Sequence, residues 1–141
     1  MSKKIPFLYG LGQNKSQYKE LSKFCDVKKI DWNNGSLAKL KLGKPDTLIG
    51  FSLGAIVACD HAIKYKVKKL ILCSMTPGVE TLKDVKADNI VFLVGEKEIW
   101  VLKEIRRVSK TLTCQWNIIV IPKADHKIKG NYLKQLIDLV K

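Results

Sequence analysis

Arginine is almost missing from this strongly basic chain of 141 residues. Of 26 basic side chains only Arg106 and Arg107 are arginines, so a formal net charge of +13 rests nearly all on lysine. A basic surface is what phosphate binding requires. Base readout and bidentate phosphate clamps favour the arginine fork, however, and single-strand platforms interleave their charges with exposed aromatics. Lysines scattered along the whole chain instead read as solvated faces, which argues against nucleic acid as a partner. Long hydrophobic runs are missing too. Apolar residues make up 46% of the chain but arrive as short runs such as 70–73, 90–94 and 117–121, well below the ~18 residues needed to cross a bilayer, so no membrane role is expected. The opening MSKKIPFLYGLG is basic like a signal peptide. Its apolar part is broken by Pro6, Gly10 and Gly12 and lacks a small-residue cleavage site, so it reads as a first strand and its turn in a cytoplasmic protein. Cys25, Cys59, Cys73 and Cys114 form no C-x-x-C pair and stand near no histidine cluster. That excludes a zinc or redox motif and leaves reduced, structural thiols. With only two histidines, His61 and His126, few acid–base sites can be drawn.

What is present is a steady alternation. Strand-like runs at Ile5–Tyr9, Val27–Asp31, Thr47–Phe51, Lys69–Ser74, Ile90–Val94 and Asn117–Ile121 are short and apolar, as strands covered on both faces should be. Between them Lys15–Phe24, Leu53–Lys66, Glu98–Leu112 and Asn131–Val140 carry apolar residues at helical spacing. Segments 34–43 and 79–86 have room for one short helix each. Such alternation predicts βα units around a parallel sheet, and no repeat, linker or low-complexity tract divides the chain, so one domain is expected.

Gly50-Phe51-Ser52-Leu53-Gly54 sits where a strand hands over to a helix, the context in which G-x-S-x-G forms a nucleophile elbow. A strand turning abruptly into a helix holds the central serine in a strained conformation, and the residues two before and two after must be small. The helix start aims free N–H groups at the serine, making Leu53 N–H a natural oxyanion donor. Taken alone, the pentapeptide also fits a glycine-rich turn with a capping serine. His61 lies about two turns into the helix after the elbow and cannot fold back to it. His126 follows the last strand. In a parallel sheet the loops leaving strand carboxyl ends share one edge, so Ser52 and His126 meet there. Glu96 and Glu98 leave the preceding strand by the same edge, and both compete to be the carboxylate that orients the imidazole. Asp125 is disfavoured, because sequence neighbours usually point apart.

In this order the motifs resemble the α/β-hydrolases over nearly the whole chain: Phe-Leu-Tyr-Gly-Leu-Gly (7–12), the elbow (50–54), Leu-Val-Gly-Glu-Lys-Glu (93–98) and Ile-Pro-Lys-Ala-Asp-His (121–126). The resemblance implies a minimal α/β-hydrolase fold, six parallel strands in the order 2-1-3-4-5-6 with helices on both faces. It implies Glu98 as the acid, at the third position after the strand-ending glycine, and Leu11 N–H as the second oxyanion donor. Tyr9 stands where the family usually has histidine, and glutamate where it usually has aspartate. The family's caps commonly follow the strand that here ends at Ser74. Only 75–89 are available, so an open, lidless site is expected.

The expected activity is that of a serine hydrolase cleaving esters or thioesters of small or medium acyl groups through a Ser52-His126-Glu98 triad and an acyl-enzyme, with no metal or organic cofactor. The alternative is a non-catalytic binding protein on a hydrolase scaffold, its lysines meeting an acidic partner or RNA.

Overall fold

The structure, a computed structural model, describes residues 4–32, 40–75 and 79–141. Strands β1 (Ile5–Leu8), β2 (Cys25–Val27), β3 (Thr47–Phe51), β4 (Val67–Cys73), β5 (Ala87–Gly95) and β6 (Gln115–Ile121) form one parallel sheet. Its spatial order is β2-β1-β3-β4-β5-β6, as the family resemblance implies. Helices α1 (Leu53–Lys64), α2 (Ile99–Ser109) and α3 (Asn131–Val140) follow β3, β5 and β6. Since the order reverses between β1 and β3, the carboxyl ends of these two strands frame a crevice, the usual ligand position in such sheets.

Both faces of the sheet are covered, and the register shows by what. Partners across parallel strands share a face, and residues two apart share it too. Phe7 pairs with Ile49, and Phe51 with Cys73, so these four point the same way. Tyr18 packs its ring 4.9 Å from that of Phe7, and Tyr132 lies 6.3 Å from Phe51, which places α3 and the 3₁₀ turn Lys15–Tyr18 on this face. Gly50 faces the opposite way, against the backbone of α1. There α1 and α2 both pack on a 3₁₀ helix, Val79–Asp84. Because right-handed crossovers that all progress the same way leave their helices on one side, the three elements following β3, β4 and β5 share it. Leu48, Ile49, Leu70, Ile71, Leu72, Phe92 and Leu93 are fully or almost fully buried between the layers.

Local differences from the sequence reading have local causes. The helix predicted over Lys15–Phe24 is instead two 3₁₀ turns, Lys15–Tyr18 and Leu21–Lys23. Its inward residues Tyr18, Leu21 and Phe24 recur every third position, the period of a 3₁₀ helix and not of an α-helix. The second strand is Cys25–Val27, earlier than Val27–Asp31, since Cys25 registers with Ile5 and Val27 with Phe7. Beyond it the Tyr9 hydroxyl takes the Ile30 N–H at 2.6 Å and donates to the Ile30 carbonyl at 3.2 Å, replacing ladder bonds. The short helix predicted in 34–43 lies mostly outside the described residues, and 40–43 carry no helix. The one predicted in 79–86 is the 3₁₀ helix Val79–Asp84. Among the described residues no helix is long and apolar enough to cross a membrane.

Candidate active site

Between β3 and α1 a single residue, Ser52, makes the turn. It does so with φ 57° and ψ −120°, a region that costs a non-glycine residue on the order of 1–3 kcal/mol and persists only where the surroundings enforce it. The enforcement is visible. Ser52 N–H donates to the Cys73 carbonyl at 2.9 Å, while Ala55 N–H returns to the Ser52 carbonyl at 3.0 Å. A methyl on Gly50 would stand 2.4 Å from the Gly54 carbonyl oxygen, and one on Gly54 would stand 2.1 Å from that of Leu8. Strand, elbow and helix therefore pass only as glycines. Gly54→Ala is expected to lower stability by about 3 kcal/mol, the upper end of overpacking costs. An unchanged denaturant midpoint would contradict this close approach.

The loops after β5 and β6 are laced together at the same edge. Glu96 N–H donates to the Ile121 carbonyl and Lys97 N–H to that of Ala124, both at 2.9 Å. This brings His126 between Glu98 and Ser52. Its Nε2 lies 3.0 Å from Ser52 Oγ, and its Nδ1 is hydrogen-bonded to Glu98 Oε1. A carboxylate only accepts, so the proton belongs on Nδ1, and Nε2 is left to accept from the Ser52 hydroxyl. Glu98 is buried, whereas 43% of the His126 side chain remains exposed. The other carboxylate oxygen, Oε2, takes Ser74 Oγ–H at 2.6 Å and Gly95 N–H at 2.8 Å. Burial by itself would raise the Glu98 pKa. The hydrogen bonds from His126, Ser74 and Gly95 outweigh it and hold the carboxyl below its ordinary value, so it stays ionised through the neutral range.

Of the two competing glutamates, only Glu98 reaches the imidazole. Glu96 is exposed, and its Oε1 accepts the Lys123 N–H at 3.0 Å. Asp125 is exposed as well. His61 sits further along α1 with its ring 5.1 Å from Tyr65, and burial lowers its pKa. Leu53 opens α1, where N–H groups have no intrahelical acceptor. Leu11 is at the tip of the turn after β1. That turn lies against the elbow, since a Cβ on Gly10 would stand 3.2 Å from Ser52 Cβ. Tyr9, buried and bonded to Ile30, braces this region and does not face the site. All four cysteines are unpaired. Burial pushes the Cys25 thiol to about 11 and Cys59 to about 12, and Cys73 in the same direction, which leaves these three poor nucleophiles at neutral pH. No cluster of three or more His, Cys, Asp or Glu placed to hold a metal occurs among the described residues.

Three supporting residues escaped the sequence reading. Ser74, fully buried with φ 47°, donates to Glu98, and its Oγ is 2.8 Å from the Tyr132 hydroxyl. Tyr132 donates in turn to the Leu93 carbonyl at 3.1 Å, and burial pushes its phenol well above the usual value, keeping it protonated. Gln13 fixes the turn after β1, its Oε1 accepting Gly10 N–H at 2.8 Å and Tyr18 O–H at 2.5 Å. No local motif distinguishes these side chains. Only a serine directly after an apolar strand, at the edge where ligands bind, hinted at the first.

No family model and no curated protein sequence matches the chain. Solved structures do. A predicted CIB-like hydrolase from Thermoplasma acidophilum is similar with TM-score 0.71 at 10% identity, over 96% of this chain and 82% of that one. Dienelactone hydrolase from Anabaena variabilis is similar with TM-score 0.59 at 21% identity, over 66% of this chain and 45% of that one. XC6422 from Xanthomonas campestris, a serine hydrolase without a lid, gives TM-score 0.51 at 26% identity over 66% of this chain and 42% of its own. The chain thus spans less than half the length of the last two. Sheet order, crossovers and these likenesses agree: the chain has the α/β-hydrolase fold.

Proposed function

We propose that the chain is a serine hydrolase acting on esters or thioesters of small or medium acyl groups. The observation that carries this reading is the relay Ser52–His126–Glu98 on a strained elbow, with Nε2 3.0 Å from Oγ. Ser52 Oγ attacks the acyl carbonyl carbon as its proton passes to His126 Nε2, and the charge left on the carbonyl oxygen is met by the Leu53 and Leu11 N–H groups. His126 then gives that proton to the departing alcohol or thiol, leaving Ser52 acylated. Water, deprotonated by the same nitrogen, attacks the ester and restores the serine. Glu98 keeps the imidazole in the tautomer that accepts and stabilises it once charged. A fluorophosphonate probe tests the reading directly. Stoichiometric labelling of Ser52 is expected, and an unlabelled protein would leave a hydrolase scaffold without its chemistry.

The segment in which a cap would lie gives a second expectation. Its 3₁₀ helix Val79–Asp84 packs on α1 and α2 with Leu82 buried, and His126 stays partly exposed. An acyl group on an open edge gains up to about 0.8 kcal/mol per buried methylene only for the carbons that a groove covers. On 4-nitrophenyl esters kcat/KM is expected to peak at roughly two to six carbons on that estimate, without interfacial activation. A steep rise through dodecanoate or a jump at the solubility limit would require a long apolar tunnel and overturn this expectation.

A further inference from the structure

Beside His126 the start of α2 leaves two large apolar side chains in water. Ile99 is 76% and Trp100 71% exposed, whereas Val101, Ile105 and Val108 of the same helix are buried. An outward helical face ordinarily takes charged or polar residues, so core packing does not account for this pair. With Lys97, Glu98, Val101 and His126 they line an open groove of about 440 Å³ that shares its histidine with the Ser52 centre. Leu11, 59% exposed at the tip of the turn lying against Ser52, adds a third such residue at the same sheet edge. Apolar side chains gathered around a site mark a ligand surface more than single scattered ones do.

Two lysines flank this groove. Lys97 lines it, and Lys103 Nζ stands 5.4 Å from the centroid of the Trp100 ring. Of the neighbouring carboxylates, Glu104 is paired with Arg107 at 2.7 Å, Glu96 accepts the Lys123 N–H, Glu98 accepts from His126 and Ser74, and Asp125 is exposed. Neither lysine has a carboxylate partner among the described residues. We propose that the groove binds the body of an anionic ester or thioester, its apolar part against Ile99 and Trp100 and its anion against Lys97 and Lys103. This substrate class rests on the serine-hydrolase reading above. The shared chemistry, an anion carried next to an apolar segment, fits an acyl chain ending in carboxylate or a leaving group bearing phosphate.

Matched substrate pairs test it. One arm compares 4-nitrophenyl hydrogen glutarate with 4-nitrophenyl pentanoate; the other compares a coenzyme A thioester with the N-acetylcysteamine thioester of the same acyl group. The anionic member of at least one pair is expected to have kcat/KM about three- to tenfold higher, the scale of two partly screened charge pairs, and the arm that responds locates the anion. The preference should vanish in Lys97→Gln/Lys103→Gln and at an ionic strength of about 1 M, where screening reaches about 3 Å. It should survive Lys66→Gln/Lys68→Gln, which removes the same charge beside the start of β4, at the opposite sheet edge. Trp100→Ala should raise KM for both members of the responding pair. A ratio of one in both arms, or a ratio as sensitive to Lys66/Lys68 as to Lys97/Lys103, overturns the proposal. Fluorophosphonate labelling of each protein separates the two failures: Ser52 labelled without a preference removes the groove assignment alone, whereas no labelling removes the hydrolase reading.

Discussion

Ser52→Ala is expected to abolish both ester turnover and covalent labelling while the protein remains folded. The elbow is shaped by backbone contacts, the Cys73 carbonyl on the Ser52 N–H and the glycines at 50 and 54, none of which uses the hydroxyl. Alanine at φ 57° bears the same strain as serine, so the fold is unaffected to first order. The chemistry has no substitute, since Cys25, Cys59 and Cys73 are buried with raised pKa values and, among the described residues, no other hydroxyl donates to His126 Nε2. Loss of a nucleophilic serine elsewhere costs about 10⁶ in kcat, and a drop of that order is expected here. Steady-state hydrolysis measured beside circular dichroism decides the matter: undiminished turnover in a folded variant would place the nucleophile elsewhere.

Glu98→Gln should follow with a loss of about 10⁴ in kcat, the scale seen when a triad carboxylate becomes an amide. Glu98 serves three donors at once, His126 Nδ1–H, Ser74 Oγ–H and Gly95 N–H. An amide offers one acceptor oxygen and two donor hydrogens. If the oxygen keeps Ser74 and Gly95, the NH₂ faces Nδ1 and selects the tautomer protonated on Nε2, which cannot accept from Ser52. Glu96→Gln, at an exposed position whose oxygen only receives the Lys123 N–H, should stay within a few-fold of the parent. The reverse ranking in kcat would assign the role to Glu96.

The sheet and the relay were legible in the sequence because each leaves a local mark. β3 and α3 have the predicted ends, since short apolar runs flanked by polar residues and an amphipathic face are chain-local patterns. The elbow, the histidine after the last strand and a glutamate after the fifth gave the three side chains, and parallel topology placed them at one edge. What was not legible depends on contacts between distant residues. Ser74 and Tyr132, 58 positions apart, acquire meaning only when β4 and α3 lie side by side. Position alone leaves Glu96 and Glu98 in competition; the family resemblance favours Glu98, and in the structure Glu98 meets His126 while Glu96 accepts the Lys123 N–H. The 3₁₀ turns at Lys15–Tyr18 and Leu21–Lys23 were missed because three apolar residues at a spacing of three also fall near one stripe of an α-helix.

Tyr132 gives the site a dependence on α3 that a list of reacting groups does not reveal. The phenol behind Ser74 belongs to a helix joined to the sheet side by Tyr132 and Leu136, both fully buried. Secondary elements of a folded protein open locally with free energies below that of global unfolding. Were α3 to undock, Ser74 would lose its contact with the Tyr132 hydroxyl and Leu93 the hydrogen bond from it, without any sheet hydrogen bond being broken. Amide exchange within α3 and the loss of turnover on warming should accordingly share one free-energy gap. A loss of turnover coincident with global unfolding would show instead that this ten-residue helix and the sheet melt as one unit.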